Sequence, residues 1–288
     1  MQSEGSVFNS MYRFGIFGHP IKHSLSPRMH AASFKSLGLD ATYEAFDVEF
    51  PQLAQQLDMC QKNGFTGLNI TIPYKTTIIP LLTRIDSLAQ HVGAVNTIHF
   101  EKDGVMTGYN TDITGFLNDL KASCGVTPTD KRVLILGCGG AGRALSFGCI
   151  AAETIYLADP LAERAELLAL DLQNDKQRHL RASTIQVLPA HHQSWIDAAQ
   201  SCDLIVHCTP AGLKAEDVSV LPASAFRPGQ TVYDIVTTPN PPTLAMALSA
   251  GAKGANGIGM LVRQGAVSFK IWTGIDADIA AMRSAITS

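Results

Sequence analysis

The chain contains no run of about 18 apolar residues, which excludes a conventional membrane-spanning helix. Its six cysteines (60, 124, 138, 149, 202 and 208) form no C-x-x-C pair and no regular framework. That spacing argues against a disulfide scaffold and predicts reduced thiols in a cytoplasmic protein. Basic blocks are also missing, and the net charge is −3, so neither nucleic acid nor an anionic membrane is expected as a partner. There is no internal repeat and no low-complexity segment. The first ten residues, MQSEGSVFNS, lack the apolar core of a signal peptide and read as a loose tail. What remains is an ordinary composition, 46% hydrophobic and 16% charged, over 288 residues, enough for two domains.

The stretch from Val133 to Leu145, VLILGCGGAGRAL, carries the most information. Val133 to Leu136 is a continuous apolar run of the kind a fully buried parallel strand shows. It ends in Gly137-Cys138-Gly139-Gly140-Ala141-Gly142, a G-x-G-x-x-G loop, and a helical pattern follows at once. In a dinucleotide fold the first glycine makes the turn, the second lets backbone approach a diphosphate, and the third allows close helix–strand packing. The helix N-terminus then offers free N–H groups to the phosphates. An ordinary tight βα turn without ligand is the competing explanation. The following strand, Thr154 to Ala158, ends at Asp159, about 20 residues beyond the middle glycine, where the adenosine ribose is read. A carboxylate there accepts the 2′-hydroxyl of NAD and repels the 2′-phosphate of NADP. Each unit-charge pair at ~4 Å costs on the order of 4 kcal/mol at an effective dielectric of about 20. NAD is therefore the expected cofactor, although Asp159 also fits a cap for the next helix, with Pro160 at its first position.

Along the chain, YRFGIF (12–17) reads as a strand and Ser26-Pro27 as cap and first position of a helix ending near Gly38. Strands are expected over Ala41 to Val48 and Phe65 to Ile72, and a hairpin turns through Lys102-Asp103-Gly104. Asn110-Thr111-Asp112 opens a helix running towards Cys124. From Lys131 onward strands alternate with helices: 132–136, 154–158, 184–188, 203–207 and 231–235. The expected fold class is α/β: an N-terminal α/β substrate domain plus a doubly wound parallel-sheet (Rossmann-like) dinucleotide domain, with a cleft between them for the substrate. The domains are placed at 11–110, with the helices of 262–288 returning to it, and at 111–261. His19 and His23 lie four apart in a loop without further ligands, so no metal is expected.

Five motifs in order, SLSP (24–27), NITIPYK (69–75), AVNT (94–97), NTD (110–112) and GIGMLVRQ (257–264), resemble the shikimate dehydrogenase family. The quinate/shikimate dehydrogenase branch looks closest, and the resemblance covers nearly the whole chain from Tyr12 onward. It implies reversible oxidation of a ring hydroxyl of a small polyol carboxylate by NAD(P), within the shikimate pathway of aromatic amino acid biosynthesis or its quinate-using counterpart; a homodimer is the oligomer it allows. By the resemblance, Lys75 and Asp112 form the catalytic pair. Hydride transfer leaves a hydroxyl proton that an acid/base group must take, and a neighbouring carboxylate orients that group. Ser24 and Ser26 match residues holding the substrate carboxylate, and Asn69, Thr71, Asn96 and Gln264 match those holding ring hydroxyls. Gly137, Gly139, Gly140, Ala141 and Gly142 would bind the diphosphate and Asp159 the ribose. Thr209 and Pro210 match a loop near the cofactor, and Ile235, Gly259 and Met260 lie near the nicotinamide. Without the family, each of these polar residues also fits local capping or turn bonding, and Met260 fits core packing.

Four departures stand out. Ala158-Asp159-Pro160 replaces the Asn-Arg-Thr typical of NADP-using members, Thr237 stands where many relatives have tyrosine, Asn256 where many have Asp, and Tyr109 where many biosynthetic members have Asp. The expectation is thus a quinate/shikimate oxidoreductase using NAD, the alternative an NADP-dependent biosynthetic shikimate dehydrogenase. A non-catalytic dinucleotide-binding sensor would keep the glycine loop but has no need of Lys75 and Asp112 together.

Overall fold

The computed structural model describes residues 12–176 and 183–287; the tail reading of Met1 to Ser10 falls outside them. The chain divides into two units, one running up to Tyr109 and resuming at Gly265, the other Asn110–Gln264. The first begins β1 (Tyr12–Gly18), α1 (Ser26–Leu37), β2 (Ala41–Asp47), α2 (Leu53–Lys62) and β3 (Gly67–Ile70). It continues with β4 (Arg84–Ile85), α3 (Ser87–Val92), β5 (Thr97–Phe100) and β6 (Met106–Tyr109). The second unit comprises α4 (Asp112–Asp119), β7 (Arg132–Leu136), α5 (Gly140–Gly148), β8 (Thr154–Ala158), α6 (Ala162–Lys176) and β9 (Thr184–Val187). After these come α7 (His192–Ser201), β10 (Leu204–His207), β11 (Thr231–Asp234), α8 (Pro242–Ser249) and β12 (Lys253–Asn256). The unit boundary falls within α9 (Ile258–Thr273), and α10 (Ile279–Thr287) follows. Among the described residues no helix is long and apolar enough to cross a membrane.

In the second unit all six strands are parallel, in the order β12-β11-β10-β7-β8-β9. The chain winds outward from β7 to β9, then returns to β7's other side as β10, so β7 and β10 flank the topological switch point. Val133, Leu134 and Ile135 are fully buried, as the continuous apolar run requires. Leu134, Leu136, Ile205, Val232 and Phe226 form its core.

The first unit carries a mixed sheet, β2-β1-β3-β5-β6-β4, in which β1 pairs in parallel with β2 and β3, while β5 runs antiparallel to β3. Phe17, Leu68, Ile70, Tyr74, Val95 and Ile98 fill one core cluster. From α9, Trp272 Nε1 donates to the Ile98 carbonyl at 2.8 Å, and its indole lies so close that a Cβ on Gly67 would fall 2.1 Å from it.

The sequence reading of β7 to β11 holds to within one residue at each end. Other expectations change. The strand expected over Phe65 to Ile72 contracts to β3, because the Phe65 amide is spent on the Cys60 carbonyl and chain after Ile70 turns. Ser26 is not the cap of α1 but its first residue; Leu25 holds the cap position without a side-chain bond. The helix entering from Asp112 does run to Cys124, with Leu120–Cys124 as a π-helical turn.

His30 of α1 is fully buried in an aromatic cluster, stacked on Tyr43 with ring centroids 4.5 Å apart, and neither ring nitrogen has a hydrogen-bond partner. Burial lowers its pKa from 6.5 to about 3. Between those values the unfolded chain binds a proton that the folded one does not, so this residue's contribution to stability is intact above pH 6.5 and lost as pH falls. The expected slope is about 1.4 kcal/mol per pH unit. Urea unfolding of the parent and His30→Phe between pH 6 and pH 4 should show a shallower dependence in the variant; equal slopes would contradict the assignment.

Candidate active site

Strand direction gathers the polar loops of the first unit. β1 and β3 run in parallel, with Ile16 opposite Asn69 and Phe17 opposite Ile70, so the loops following both leave the same end of the sheet. β5 is antiparallel with Thr97 opposite Asn69, so Asn96 enters at that end too. The loop after β1 carries Ser24 and Ser26, and the segment after β3 carries Thr71 and Lys75. The Ser26 amide donates to Ser24 Oγ at 3.3 Å. The Thr71 amide donates to the Phe17 carbonyl at 2.9 Å, and the Lys75 carbonyl accepts the Val95 amide at 2.7 Å. These backbone bonds stitch the three loops into one polar rim, with Lys75 half-buried and Ser26, Asn69 and Asn96 buried.

Asn69 is the hub of that rim. Its Oδ1 accepts from Tyr43 Oη at 2.7 Å, while Nδ2 faces the Asn96 carbonyl, Thr97 Oγ1 and Ser268 Oγ, each at 3.1 Å. Two protons serve three acceptors, so a ring hydroxyl meeting this amide would displace Thr97 or Ser268. Sequence reasoning did not single out Tyr43 or Ser268, whose partner Asn69 lies 26 and 199 positions away; Thr97 falls in the AVNT motif but was given no role there.

In the second unit Asp112 is the first residue of α4 and is 4% exposed; its amide donates to Asn110 Oδ1 at 3.1 Å. Thr111 Oγ1 lies 3.4 Å from Gln264 Oε1, and a Cβ on Gly115 would fall 2.7 Å from that of Gln264, which seats Gln264 against the start of α4. Gly259 is explained locally: its Cβ would lie 2.1 Å from Asp119 Oδ1, which Tyr233 Oη and Arg263 Nε also engage, at the other oxygen and at this one. Met260 is buried.

The glycine loop closes β7 at the switch point. Gly137 has φ +97°, and a Cβ at Gly142 would sit 1.8 Å from the Gly137 carbonyl oxygen. At Gly139 nothing lies within 4 Å of an added Cβ, so the loop's middle faces open space just before α5 begins. An apolar recess of ≈ 270 Å³ adjoins it, walled by Ala158, Pro160, Trp195, Pro210 and Val220 among others. Open backbone at a helix N-terminus beside an apolar slot fits the diphosphate and flat base of a dinucleotide. Thr209 packs on this loop, since a Cβ on Gly137 would meet its methyl at 2.8 Å. His207 Nε2 holds Thr209 Oγ1 at 2.5 Å, and its Nδ1 lies 3.0 Å from Asp234 Oδ1, both side chains being wholly buried. Neither His207 nor Asp234 was a sequence candidate. Cys138, within the loop, is no thiolate: burial first, then Asp159, pushes its pKa up to about 12.

Asp159 corrects the cofactor expectation. It is 4% exposed; Oδ2 accepts the Cys138 amide at 2.8 Å and Oδ1 the Leu161 amide at 2.9 Å. The carboxylate thus ties the glycine loop to the start of α6, as the cap alternative for Asp159 expects.

Comparison with known proteins bears on the same point. The model for the shikimate dehydrogenase substrate binding domain matches residues 16–98, and that for the shikimate 5′-dehydrogenase C-terminal domain matches residues 257–287. The chain is 41% identical over 273 residues to the shikimate dehydrogenase (NADP(+)) of Moorella thermoacetica, covering 93% of this chain and 90% of the relative. It is 38% identical over 277 residues to that of Citrifermentans bemidjiense, covering 95% and 94%. Among solved structures, shikimate 5-dehydrogenase of Thermus thermophilus in complex with NADP(H) and shikimate superposes with a TM-score of 0.84 at 35% identity, covering 96% and 98% of the two chains. The relatives' naming for NADP overturns NAD as the main cofactor, and the two amides on Asp159 account for that carboxylate without a ribose partner. With such identity sustained over nearly its full length, the chain belongs to the shikimate dehydrogenase family of NAD(P)-dependent oxidoreductases.

Proposed function

We propose that the protein is an NADP-dependent shikimate dehydrogenase, interconverting a ring hydroxyl of shikimate with the ketone of 3-dehydroshikimate. The observation that carries this reading is the gathering of Ser24, Ser26, Asn69, Thr71, Lys75 and Asn96 by three loops at one end of the first sheet. The relatives' names supply the substrate and cofactor.

Ser24 and Ser26 take the carboxylate. The Ser24 oxygen accepts the Ser26 amide, which leaves its hydroxyl proton to point outward. Asn69, Thr71, Asn96 and Gln264 take ring hydroxyls. Lys75 Nζ receives the hydroxyl proton as the alcohol is oxidised and returns it during reduction, and Asp112 is the carboxylate that the family resemblance pairs with it. When bound, NADP supplies the nicotinamide that accepts the hydride. Gly137, Gly139, Gly140, Ala141 and Gly142 line its diphosphate, and Thr209 and Pro210 flank its adenine end. Ile235, Gly259 and Met260 stand near the nicotinamide. The exposed Arg164, in the first turn of α6, is the cation offered to the 2′-phosphate. All six cysteines are free thiols, which suits a reducing cytoplasm.

Steady-state assays crossing shikimate and quinate with NADP and NAD test this reading. Shikimate with NADP should give the highest kcat/KM, about tenfold or more above the same substrate with NAD. A highest value for quinate with NAD would overturn it.

A further inference from the structure

Between β3 and Ile78 the chain that carries Thr71 and Lys75 is neither strand nor helix. From Thr71 to Thr77 a single side chain is buried, that of Tyr74; Ile72, Pro73, Thr76 and Thr77 are exposed, and Thr71 and Lys75 half-buried. Tyr74 is 1% exposed and lies in the core cluster with Phe17, Val48 and Ile78. Its hydroxyl donates to the carbonyl of Val48, the residue after β2. Val48 is tied in turn, its amide donating to the carbonyl of Gly18, the last residue of β1, at 3.1 Å. One phenolic proton therefore fastens the segment after β3 to the ends of β1 and β2.

The fastening bears on Lys75 because the two residues adjoin. The Tyr74 amide donates to the Thr71 carbonyl at 2.8 Å, and the Tyr74 carbonyl accepts the Ile78 amide at 3.0 Å, so the segment turns about Tyr74. Lys75 is held next to it by the Val95 amide on its own carbonyl. A phenylalanine would fill the core as well as this ring does. What the hydroxyl adds is a stop that sets how deep the ring seats and where the next Cα stands. It also gives the buried Val48 carbonyl the donor that such a group requires. Burial, then the charges of Asp47 and Glu49, raise the phenol's pKa, so the donor keeps its proton. An acid/base group tolerates little displacement: about 1 Å can cost on the order of 10²-fold in rate.

We infer that Tyr74 is a positioning residue for proton transfer, holding Lys75 at its working place through the bond from its hydroxyl to the Val48 carbonyl. The inference rests on the acid/base role given to Lys75 under the proposed function. Tyr74 itself takes no part in the chemistry.

The test is Tyr74→Phe, which keeps the ring in the core and removes the hydroxyl. With shikimate, kcat should fall about tenfold, while KM for shikimate and for NADP stays within about twofold of the parent. In the Lys75→Ala background the same substitution should change the residual kcat by less than about twofold, because the group it positions is gone. A merely structural role would lower the thermal midpoint and carry an equal loss into that background. An unchanged kcat, a rise in KM alone, or full additivity with Lys75→Ala overturns the inference. Should Tyr74→Phe not fold, Tyr74→Met removes the same hydroxyl and must show the same loss of kcat and the same coupling. Failure of the proposed function itself reads differently: the parent would then not turn over shikimate with either cofactor, or Lys75→Ala alone would keep parent-level turnover.

Discussion

Lys75→Ala should lower kcat about 10³-fold while leaving KM for shikimate within about threefold. The expectation follows from the proton balance. A carbinol cannot release hydride without shedding its hydroxyl proton, and among the residues at this rim of the first sheet Lys75 is the group whose chemistry fits that transfer. Its main chain is fixed by the bond from the Val95 amide, so truncating the side chain should leave the loop in place. Substrate binding would persist through the serines and amides. A lost transition-state contact appears in kcat and kcat/KM together, whereas a lost ground-state contact appears in KM alone. Steady-state kinetics in both directions distinguish them, and a variant retaining parent-level turnover would assign the proton to another group.

The second large effect is expected at Asp159. Asp159→Ala removes a carboxylate that accepts both the Cys138 and Leu161 amides, leaving one donor in the glycine loop and one at the entry of α6 without that partner. Hydrogen bonds to charged acceptors contribute about 1.5–3 kcal/mol each, and these amides regain part of that from water, so a loss of about 3 kcal/mol is expected in urea unfolding. The KM for NADP and for NAD should rise by similar factors, because the loop that holds the diphosphate loosens for both. A ribose-reading role predicts the opposite pattern: unchanged stability and a shift of preference towards NADP. Measuring both quantities on one variant separates the two roles of this carboxylate.

These two residues mark how far the sequence is legible. β7 and its glycine loop can be read directly, because a strand buried on both faces must be apolar throughout and because Gly142 leaves no room for a side chain against the Gly137 carbonyl. Parallel alternation from Lys131 onward has the same clarity. β12 does not: Gly254 lies so near β11 that a Cβ would fall 2.2 Å from the Val232 carbonyl oxygen, so the strand is written in residues that read as loop. At Asp159 one spacing satisfies two compatible roles, and the Cys138 and Leu161 amides show the capping one. The Ser24, Ser26, Asn69, Thr71, Lys75 and Asn96 set was legible as motifs, yet its convergence depends on strand direction and register. The network joining Tyr43, Asn69 and Ser268 left no periodic trace, since its members come from β2, β3 and α9.

The most direct measurement follows the hydrogen itself. Shikimate carrying deuterium at the oxidised ring carbon would be incubated with the protein and NADP, and the reduced cofactor examined by NMR. Transfer of the deuterium to C4 of the nicotinamide, with turnover lost in Lys75→Ala, is the predicted result. Deuterium appearing in solvent, or no reduced cofactor formed by the parent protein, would contradict the account.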